Sequence, residues 1–305
     1  MIKIDNLTKQ FGRFTAVDGL SFTVAPGEVL GFLGPNGAGK STTMKMITGF
    51  LAPTSGQVTV FGKDAVEFAL QTKSVMGYLP EGAPSYGDMT PSQFLKFVGQ
   101  VRGLKGAGLK QRLAQVTEIL HLEKVSQQPI DTLSKGFKRR VGLAQAIIHD
   151  PQVLILDEPT DGLDPNQKQE VRNLIANLAQ DKIVIVSTHI LEEVSAVCSR
   201  AIIIAGGKIL ADGSPAELQA RSRYHGAVRL QLEGVLDPTS KLQALDQVSA
   251  VEKEGSAWVV FPQANQNLYL AVHGLIAEQG WPVQEFSMEQ GRLDEVFRAI
   301  TQEAA

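Results

Sequence analysis

A glycine-rich segment near the start of the chain combines the residue types that bind phosphate. It consists of Gly34, Pro35, Asn36, Gly37, Ala38, Gly39, Lys40, Ser41 and Thr42. Glycines allow a tight turn whose backbone N–H groups point at an anion, and the N-terminus of a following helix favours negative charge. Lys40 supplies a compact positive charge for the β- and γ-phosphates, and the Ser41 hydroxyl suits Mg²⁺. The segment predicts a nucleoside triphosphate site.

The elements that flank this loop fit the same prediction. An apolar strand over residues 29–33 precedes it, and Met44, Ile47 and Phe50 follow at helical spacing. Strand, loop and helix in this order are the context that the G-x-x-x-x-G-K-[ST] motif requires. They argue against a glycine-rich turn that binds nothing. The chain lacks the N-K-x-D motif with which GTPases read guanine.

A second cluster of chemical groups follows in "VLILDEP". This apolar run predicts a strand buried in a parallel sheet, and it ends in two carboxylates. Asp157, still on the strand, suits Mg²⁺ or its water shell, and Glu158 suits a base that orients an attacking water. Two acids at a strand end can also be a helix cap or a solvated turn, but the phosphate loop favours the catalytic interpretation.

A helix start in "LSKGFKRR" offers a further anion contact. Ser134 and Gly136 supply a hydroxyl and backbone N–H groups at the positive end of the helix. Taken alone, this is an ordinary N-cap. Beside a phosphate loop it predicts a second phosphate contact, which is usable only if two chains meet.

Over about residues 2–215 the chain resembles the ATP-binding subunit of ABC transporters. "LSKGF" resembles the signature motif of that family, although Lys135 and Phe137 replace its usual Gly and Gln. Asp157 and Glu158 match the Walker B aspartate and the catalytic glutamate, and "GLDP", which contains Asp164, matches the D-loop. His189, after the apolar run "IVIVST", matches the switch histidine. Phe11 stands where the family stacks an aromatic ring on adenine, and Val17 is a further nucleotide contact implied by the resemblance.

The resemblance implies a Mg²⁺-dependent ATPase in which two copies of the chain meet head to tail. Each ATP would lie between the phosphate loop of one copy and Ser134, Gly136 and Asp164 of the other. Glu158, His189 and Lys40 would be the catalytic groups, and Ser41, Asp157 and Glu81 the metal ligands. The expected partner is a polytopic permease, which the chain would drive from the cytoplasmic face of the membrane. A C-terminal tail similar to that of this chain occurs in ABC subunits that serve exporters, so the resemblance favours export over import.

Glu81 departs from the family pattern, in which the loop after the strand "MGYLP" usually begins with Gln. A carboxylate offers a charged oxygen and no donor, whereas an amide offers a neutral oxygen and an N–H group. We expect Glu81 to favour Mg²⁺ and to repel a γ-phosphate that arrives without the metal. Glu81 is therefore predicted to be a metal-sensing coupling residue.

Composition and charge give no support for a nucleic-acid-binding protein, a membrane-spanning protein or a disulfide-linked protein. A net charge of -3 with interspersed signs gives no electrostatic reason to expect nucleic acid as a partner. No apolar run reaches the roughly 18 residues of a membrane-spanning helix. Cys198, the single cysteine, has no internal disulfide partner and is predicted to be a small packing residue.

The predicted fold is an α/β P-loop NTPase core with a helical signature subdomain, followed by a small α+β domain. Residues 1–219 form the first domain, which contains the helical subdomain at about 82–150, and residues 226–305 the second; a polar linker lies near 220–226. In the second domain the element order β-α-β-β-α-β with a closing helix suggests a ferredoxin-like unit. The alternative is a soluble ABC ATPase that acts on a macromolecular complex such as ribosomes or DNA. The intact set Lys40, Asp157, Glu158 and His189 argues against a regulatory nucleotide-binding module with little turnover.

Overall fold

The computed structural model describes residues 1–83, 85–234, 236–263 and 266–302. The chain divides into two compact units, Met1–Ser214 and Pro215–Gln302. The sequence predicts a first domain that ends at residue 219, whereas the first unit ends at Ser214, ahead of a short helix. Within the described ranges no helix is both long enough and apolar enough to cross a bilayer.

The first unit is a mixed α/β structure. Its strands are β1 (Ile2–Phe11), β2 (Phe14–Val24), β3 (Val29–Leu33), β4 (Ser55–Val60), β5 (Lys63–Asp64), β6 (Met76–Leu79), β7 (Val153–Asp157), β8 (Ile183–Thr188), β9 (Arg200–Ala205) and β10 (Lys208–Gly213). Its helices are α1 (Lys40–Ile47), α2 (Ala69–Ser74), α3 (Pro91–Val101), α4 (Gly106–Ile119), α5 (Lys135–Ile147), α6 (Pro165–Leu178) and α7 (Leu191–Val197), with 3-10 turns at Glu123–Val125 and Ile130–Thr132.

A six-stranded sheet in the order β10-β9-β3-β8-β7-β6 holds the chemical motifs. All its neighbouring pairs are parallel except the edge pair of β10 with β9. Every residue of β3, β7 and β8 is buried, as their uninterrupted apolar sequences predict. Since parallel strands end at the same edge, the loops after β3, β8, β7 and β6 lie side by side.

An antiparallel sheet in the order β2-β1-β4-β5 packs against the first, with helix α1 contributing to the core between them. The rings of Phe22 on β2 and Phe32 on β3, with centroids 5.6 Å apart, join the two sheets within this core. Met44 and Ile47 of α1 are fully buried there, as their spacing predicts. Phe50 does not continue this face: it lies beyond the end of α1 and is 76% exposed.

Helices α3, α4 and α5 enclose a second core. Helix α3 begins at residues that favour a helix start, with Thr90 as the N-cap, Pro91 in the first turn and a reciprocal capping box to Gln93. Its residues Phe94, Phe97 and Val101 have the spacing of one apolar helix face, but the core covers only part of that face. Phe94 is buried, but Phe97 is 41% exposed and Val101 is 69% exposed.

The second unit has the predicted β-α-β-β-α-β order. Its elements are α8 (Pro215–Gln219), β11 (Val228–Leu232), α9 (Thr239–Gln243), β12 (Val248–Glu254), β13 (Ala257–Pro262), α10 (Leu268–Gln279), β14 (Val283–Met288) and α11 (Leu293–Gln302). The strands form an antiparallel sheet in the order β12-β13-β11-β14, which confirms the ferredoxin-like prediction. Trp258 is buried in its core.

The polar segment near residues 220–226 is not a free linker. The Tyr224 side chain is buried, its hydroxyl donates to Glu254 at 3.0 Å, and the Arg292 guanidinium lies 3.6 Å from its ring centroid. Glu254 also accepts hydrogen bonds from Arg292. The segment is polar because it forms an ion-pair network within the second unit. A sequence without apolar periodicity does not distinguish such a network from a linker.

Candidate functional site

An open cleft of about 450 Å³ lies at the carboxyl edge of the six-stranded sheet. Four loops contribute to it: Lys40 follows β3, His189 follows β8, Glu158 follows β7 and Glu81 follows β6. The cleft is lined by Phe11, Phe14, Ala16, Asn36, Gly37, Gly39, Lys40, Ser41, Thr42, Glu81, Glu158 and His189. Groups that are more than a hundred residues apart in sequence therefore meet because their strands are neighbours.

The loop before α1 has a backbone that only glycine fits. Gly37 and Gly39 have positive φ, 81° and 103°. A Cβ atom on Gly39 would lie 2.5 Å from the Ala16 carbonyl oxygen, and one on Gly34 would lie 2.5 Å from that of Ile204. Among the described residues no side chain caps the N-terminus of α1, so its first N–H groups are available to an anion.

The Lys40 side chain folds back into this loop. Its Nζ donates to the carbonyl oxygens of Gly34 at 2.7 Å and Pro35 at 3.1 Å. Burial lowers the pKa of Lys40, while the negative charges of Glu158, Asp157 and Glu81 act in the opposite direction. The lysine thus lies in the field of three of the four acids predicted for the site, and the fourth, Asp164, does not act on it.

Asp157 ends β7 with its carboxylate buried. One oxygen, Oδ1, accepts a hydrogen bond from the Ser187 hydroxyl, whereas Oδ2 has no hydrogen-bond partner within the described ranges. An unpaired buried carboxylate oxygen is costly unless another group binds it. This donor fits a hard cation or a cation-bound water. No group of three or more His, Cys, Asp or Glu side chains in the described part of the chain could hold a metal, so other ligands would have to come from a hydroxyl, phosphate or water.

Glu158 adopts an unusual backbone conformation at the next position, with φ of 50°. Its N–H donates to Ser187, with the carbonyl and hydroxyl oxygens both at 3.1 Å. Its Oε1 atom lies 3.0 Å from His189 Nδ1. The Glu158 side chain is 17% exposed and that of His189 is 50% exposed. Both side chains line the cleft and can therefore contact a ligand bound in it.

Several predicted site residues lie outside this cleft lining. Val17 and Asp157 are both buried, with exposures of 0% and 1%. Ser134 caps α5 through a hydrogen bond from the Phe137 N–H at 3.4 Å, and Asp164 caps α6 through one from the Gln167 N–H at 2.9 Å. Beyond these, Gly34, Pro35, Ala38 and Gly136 also do not line the cleft.

The two capped helix starts are close to each other. A Cβ atom on Gly136 would lie 2.6 Å from the Gln167 side-chain oxygen in the first turn of α6. Ser134, Gly136 and Asp164 therefore belong to one region of the chain, in which Ser134 and Asp164 are exposed and Gly136 is buried. That region is separate from the lining of the cleft that contains Lys40.

Phe14 was not among the predicted residues. It pairs with Phe11 across the β1–β2 turn, and these rings are 63% and 50% exposed. Two exposed aromatic rings beside a phosphate loop suit a flat heterocycle. The signal in the sequence is "FGRF", in which two Phe residues flank a tight turn.

Comparison with known proteins gives consistent matches. The family described as "ABC transporter" matches residues 17–161. "Probable multidrug ABC transporter ATP-binding protein YbhF" of Escherichia coli is 40% identical over 223 residues. That match covers 73% of this chain but only 38% of the relative. "Nod factor export ATP-binding protein I" of Ralstonia nicotianae is 30% identical over 302 residues, which cover 99% of this chain and 94% of that one.

A solved structure of an ABC transporter subunit shares the fold of this chain. A solved structure titled "Structure of ATP binding subunit of ABC transporter" superimposes with a TM-score of 0.68 at 26% identity. The superposition covers 72% of this chain and 92% of the other.

Proposed function

The chain belongs to the ATP-binding subunits of ABC transporters and is an ATPase of that family, and from this premise we propose that two copies bind ATP and Mg²⁺ between them and drive a separate membrane permease. The observation that carries this proposal is the arrangement of the cleft. Lys40, Glu158, His189 and Glu81 reach it from four adjacent strand ends. Asp157, which precedes Glu158 in the chain, is buried and has one carboxylate oxygen without a hydrogen-bond partner among the described residues.

The phosphates of ATP would be bound by the loop and by the first N–H groups of α1. The Lys40 ammonium would then exchange the carbonyl oxygens of Gly34 and Pro35 for phosphate oxygens. Phe11 and Phe14 would stack on the adenine. Mg²⁺, when bound with the nucleotide, supplies neutralisation of phosphate charge, and the Ser41 hydroxyl, Asp157 and Glu81 are the groups that would hold it.

Hydrolysis would depend on positioning and on charge. Glu158 would accept a hydrogen bond from the attacking water and polarise it, and its contact with His189 holds the carboxylate at the cleft. His189 would contact the γ-phosphate, and Lys40 with the loop N–H groups would stabilise the charge on its oxygens. These roles need no covalent intermediate.

The second copy is proposed because a single chain uses only part of its phosphate-binding groups. Ser134, Gly136 and Asp164 lie together outside the cleft, with the positive end of α5 among them. A head-to-tail dimer would bring this region of one copy against the γ-phosphate held by the other. ATP would then be part of the interface, and its hydrolysis would open the dimer.

Replacement of Glu158 by Gln tests the proposal directly. Glu158→Gln should bind ATP normally, lose activity by about 100-fold or more, and accumulate as a dimer when ATP is present, because the base is lost while the contacts of ATP remain. Steady-state ATPase assays and size-exclusion chromatography with and without ATP measure both effects. Glu118→Gln, an exposed acid on α4, is the matched control. Wild-type turnover in Glu158→Gln would refute the assigned base.

The proposal of a permease partner is supported by a second surface of the first unit. A groove of about 600 Å³ runs beside β6, the strand that leads to Glu81. Its lining includes Phe50, Leu70 and Val101, which are 76%, 87% and 69% exposed. Exposed apolar side chains in one groove are typical of a protein-binding surface. A permease segment bound there would contact the strand that ends at the cleft.

Export is favoured because one relative is named as a Nod factor export ATP-binding protein and another as a probable multidrug ABC transporter ATP-binding protein. The chain would then act at the cytoplasmic face of the cell membrane as a peripheral subunit. Affinity purification from detergent-solubilised native membranes checks the partner. A polytopic membrane protein should co-purify, and its loss in Leu70→Glu would assign the contact to the groove. Recovery of ribosomal proteins or DNA instead would favour the alternative, a soluble ABC ATPase acting on a macromolecular complex.

A further inference from the structure

Glu193 is a buried carboxylate to which the proposed mechanism gives no role. It lies in the first turn of α7, four residues after His189, and is only 5% exposed. It does not line the cleft. Glutamate is almost never buried in this way unless it is fully paired, so its contacts indicate its function.

Both oxygens of Glu193 accept hydrogen bonds from buried threonine hydroxyls. The Thr160 hydroxyl donates to Oε1, and the Thr188 hydroxyl donates to Oε2 at 2.8 Å. The two threonines are 3% and 2% exposed. The Lys168 ammonium on α6 lies 3.9 Å from Oε1 and partly balances the charge. Thr188 Oγ1 is further occupied, since it accepts a hydrogen bond from the Ile190 N–H at 3.0 Å.

The two threonines belong to the two loops that form the proposed catalytic pair. Thr160 is two residues after Glu158, and Thr188 is immediately before His189. Through these two buried hydrogen bonds, Glu193 connects the loop after β7 to the end of β8. On the cleft side, the same two segments meet through the 3.0 Å contact between Glu158 and His189.

We propose that Glu193 is a positioning residue, which holds the Glu158 and His189 segments in register by accepting hydrogen bonds from Thr160 and Thr188. This inference rests on the roles proposed above for Glu158 and His189. It acts through geometry: small displacements of groups that must meet a substrate cost large factors in rate. ATP binding, which depends on the phosphate loop, should be affected much less.

Glu193→Gln is the first test because it keeps the shape of the side chain. The amide has one acceptor oxygen and one donor nitrogen, so the two threonine hydroxyls can no longer both donate to it. We expect kcat to fall by about tenfold or more and KM for ATP to stay within about twofold of wild type. Glu192→Gln, an exposed acid next to it on α7, should leave both constants unchanged.

Threonine variants supply an independent test. Thr188→Val keeps the volume and removes the hydroxyl, whereas Thr188→Ser keeps the hydroxyl. The valine variant should lower kcat like Glu193→Gln, and the serine variant should restore most of it. Because the two groups share one hydrogen bond, the double variant of Thr188→Val with Glu193→Gln should lose less than the product of the two single effects.

Each outcome decides the question. Near-wild-type kcat in folded Glu193→Gln and Thr188→Val overturns the inference, as does a multiplicative double variant. If Glu193→Gln does not fold, Thr188→Val and Thr188→Ser decide it, with thermal unfolding measured alongside. An inactive wild-type chain, or an unimpaired Glu158→Gln, refutes the proposed function instead. An active wild type, an inactive Glu158→Gln and an unaffected Glu193→Gln refute only the role of Glu193.

Discussion

His189 and Glu158 face each other across the ends of two adjacent parallel strands, with Nδ1 of the imidazole 3.0 Å from Oε1 of the carboxylate. A ring that donates from Nδ1 and is neutral has only an acceptor at Nε2. Phosphate oxygens are also acceptors. To donate to a γ-phosphate, the imidazole must therefore gain a second proton or release Glu158. The proposed mechanism requires one of these changes when ATP binds.

Removal of the loop ammonium should abolish tight nucleotide binding. Lys40→Ala eliminates a buried cation that would form charge-assisted hydrogen bonds to phosphate, each worth about 1.5–3 kcal/mol. We expect ATP affinity to fall by about 10- to 100-fold, measured by titration calorimetry. Lys45→Ala, on the same helix, is the control. Unchanged affinity in Lys40→Ala would show that the ammonium keeps its contacts to Gly34 and Pro35 when ATP binds.

The charge of Glu81 should set the metal requirement. Glu81 lines the cleft and acts electrostatically on Lys40. In Glu81→Gln the charged oxygen is lost, so the Mg²⁺ concentration for half-maximal ATPase activity should rise by several-fold, while the stimulation of activity by the permease should fall. Magnesium titrations of the purified chain and of the membrane complex measure the two effects. If both are unchanged, the position tolerates either residue.

The contact between β6 and α5 should be intolerant of one methyl group. A Cβ atom on Gly77 would lie 2.0 Å from the Ala146 carbonyl oxygen. Gly77→Ala should therefore lower the free energy of unfolding by about 1–3 kcal/mol, as overpacking of a core does. Gly108→Ala on α4 meets no atom within 4 Å and should raise it by about 0.5–1 kcal/mol. Urea denaturation distinguishes the two, and equal effects would contradict the packing argument.

His149 should make the first unit sensitive to mild acid. Its Nε2 atom lies 2.9 Å from the Met76 carbonyl oxygen, and burial together with the nearby Arg102 lowers the pKa of His149 to about 4. As the pH falls from the ordinary imidazole pKa towards 4, the unfolded chain takes up a proton that the folded chain excludes. Stability is therefore lost in that window.

Replacement of this imidazole separates its effect from general acid sensitivity. His149→Gln can still donate to Met76 but cannot be protonated, so its stability should fall less than that of wild type between pH 7 and pH 5. Urea unfolding at the two pH values measures the difference. His273→Gln changes an exposed ring in the second unit and serves as the control. An identical pH dependence of wild type and His149→Gln would exclude the assignment.

Local patterns were sufficient to predict much of the fold. The buried strands β3, β7 and β8, the capping box of α3 and the element order of the second unit all follow from residue type and spacing. These features depend on neighbours in the chain, such as the apolar run "VLILD" or Thr90 with Gln93. The loop glycines are similar, since the positive φ of Gly39 is a property of one residue.

Features that depend on distant residues were missed. Phe97 and Val101 have the spacing of a buried helix face, yet nothing in the sequence shows that the core leaves both of them exposed. Tyr224 lies in a polar segment and is buried by Arg292 and Glu254, which are far away in the chain. Glu193 was not recognised either, because its partners Thr160 and Thr188 come from two other elements.

The left-handed backbone of Glu158 restricts which substitutions can be interpreted. At φ of 50° a β-branched side chain is strained, whereas Asn and Gly are accommodated readily. A valine or isoleucine at this position would combine the loss of the carboxylate with a distortion of the turn towards Thr160. Saturation libraries at residue 158 will therefore mix chemical and conformational defects. Among acid-free variants, those with unbranched or small side chains report on the chemistry alone.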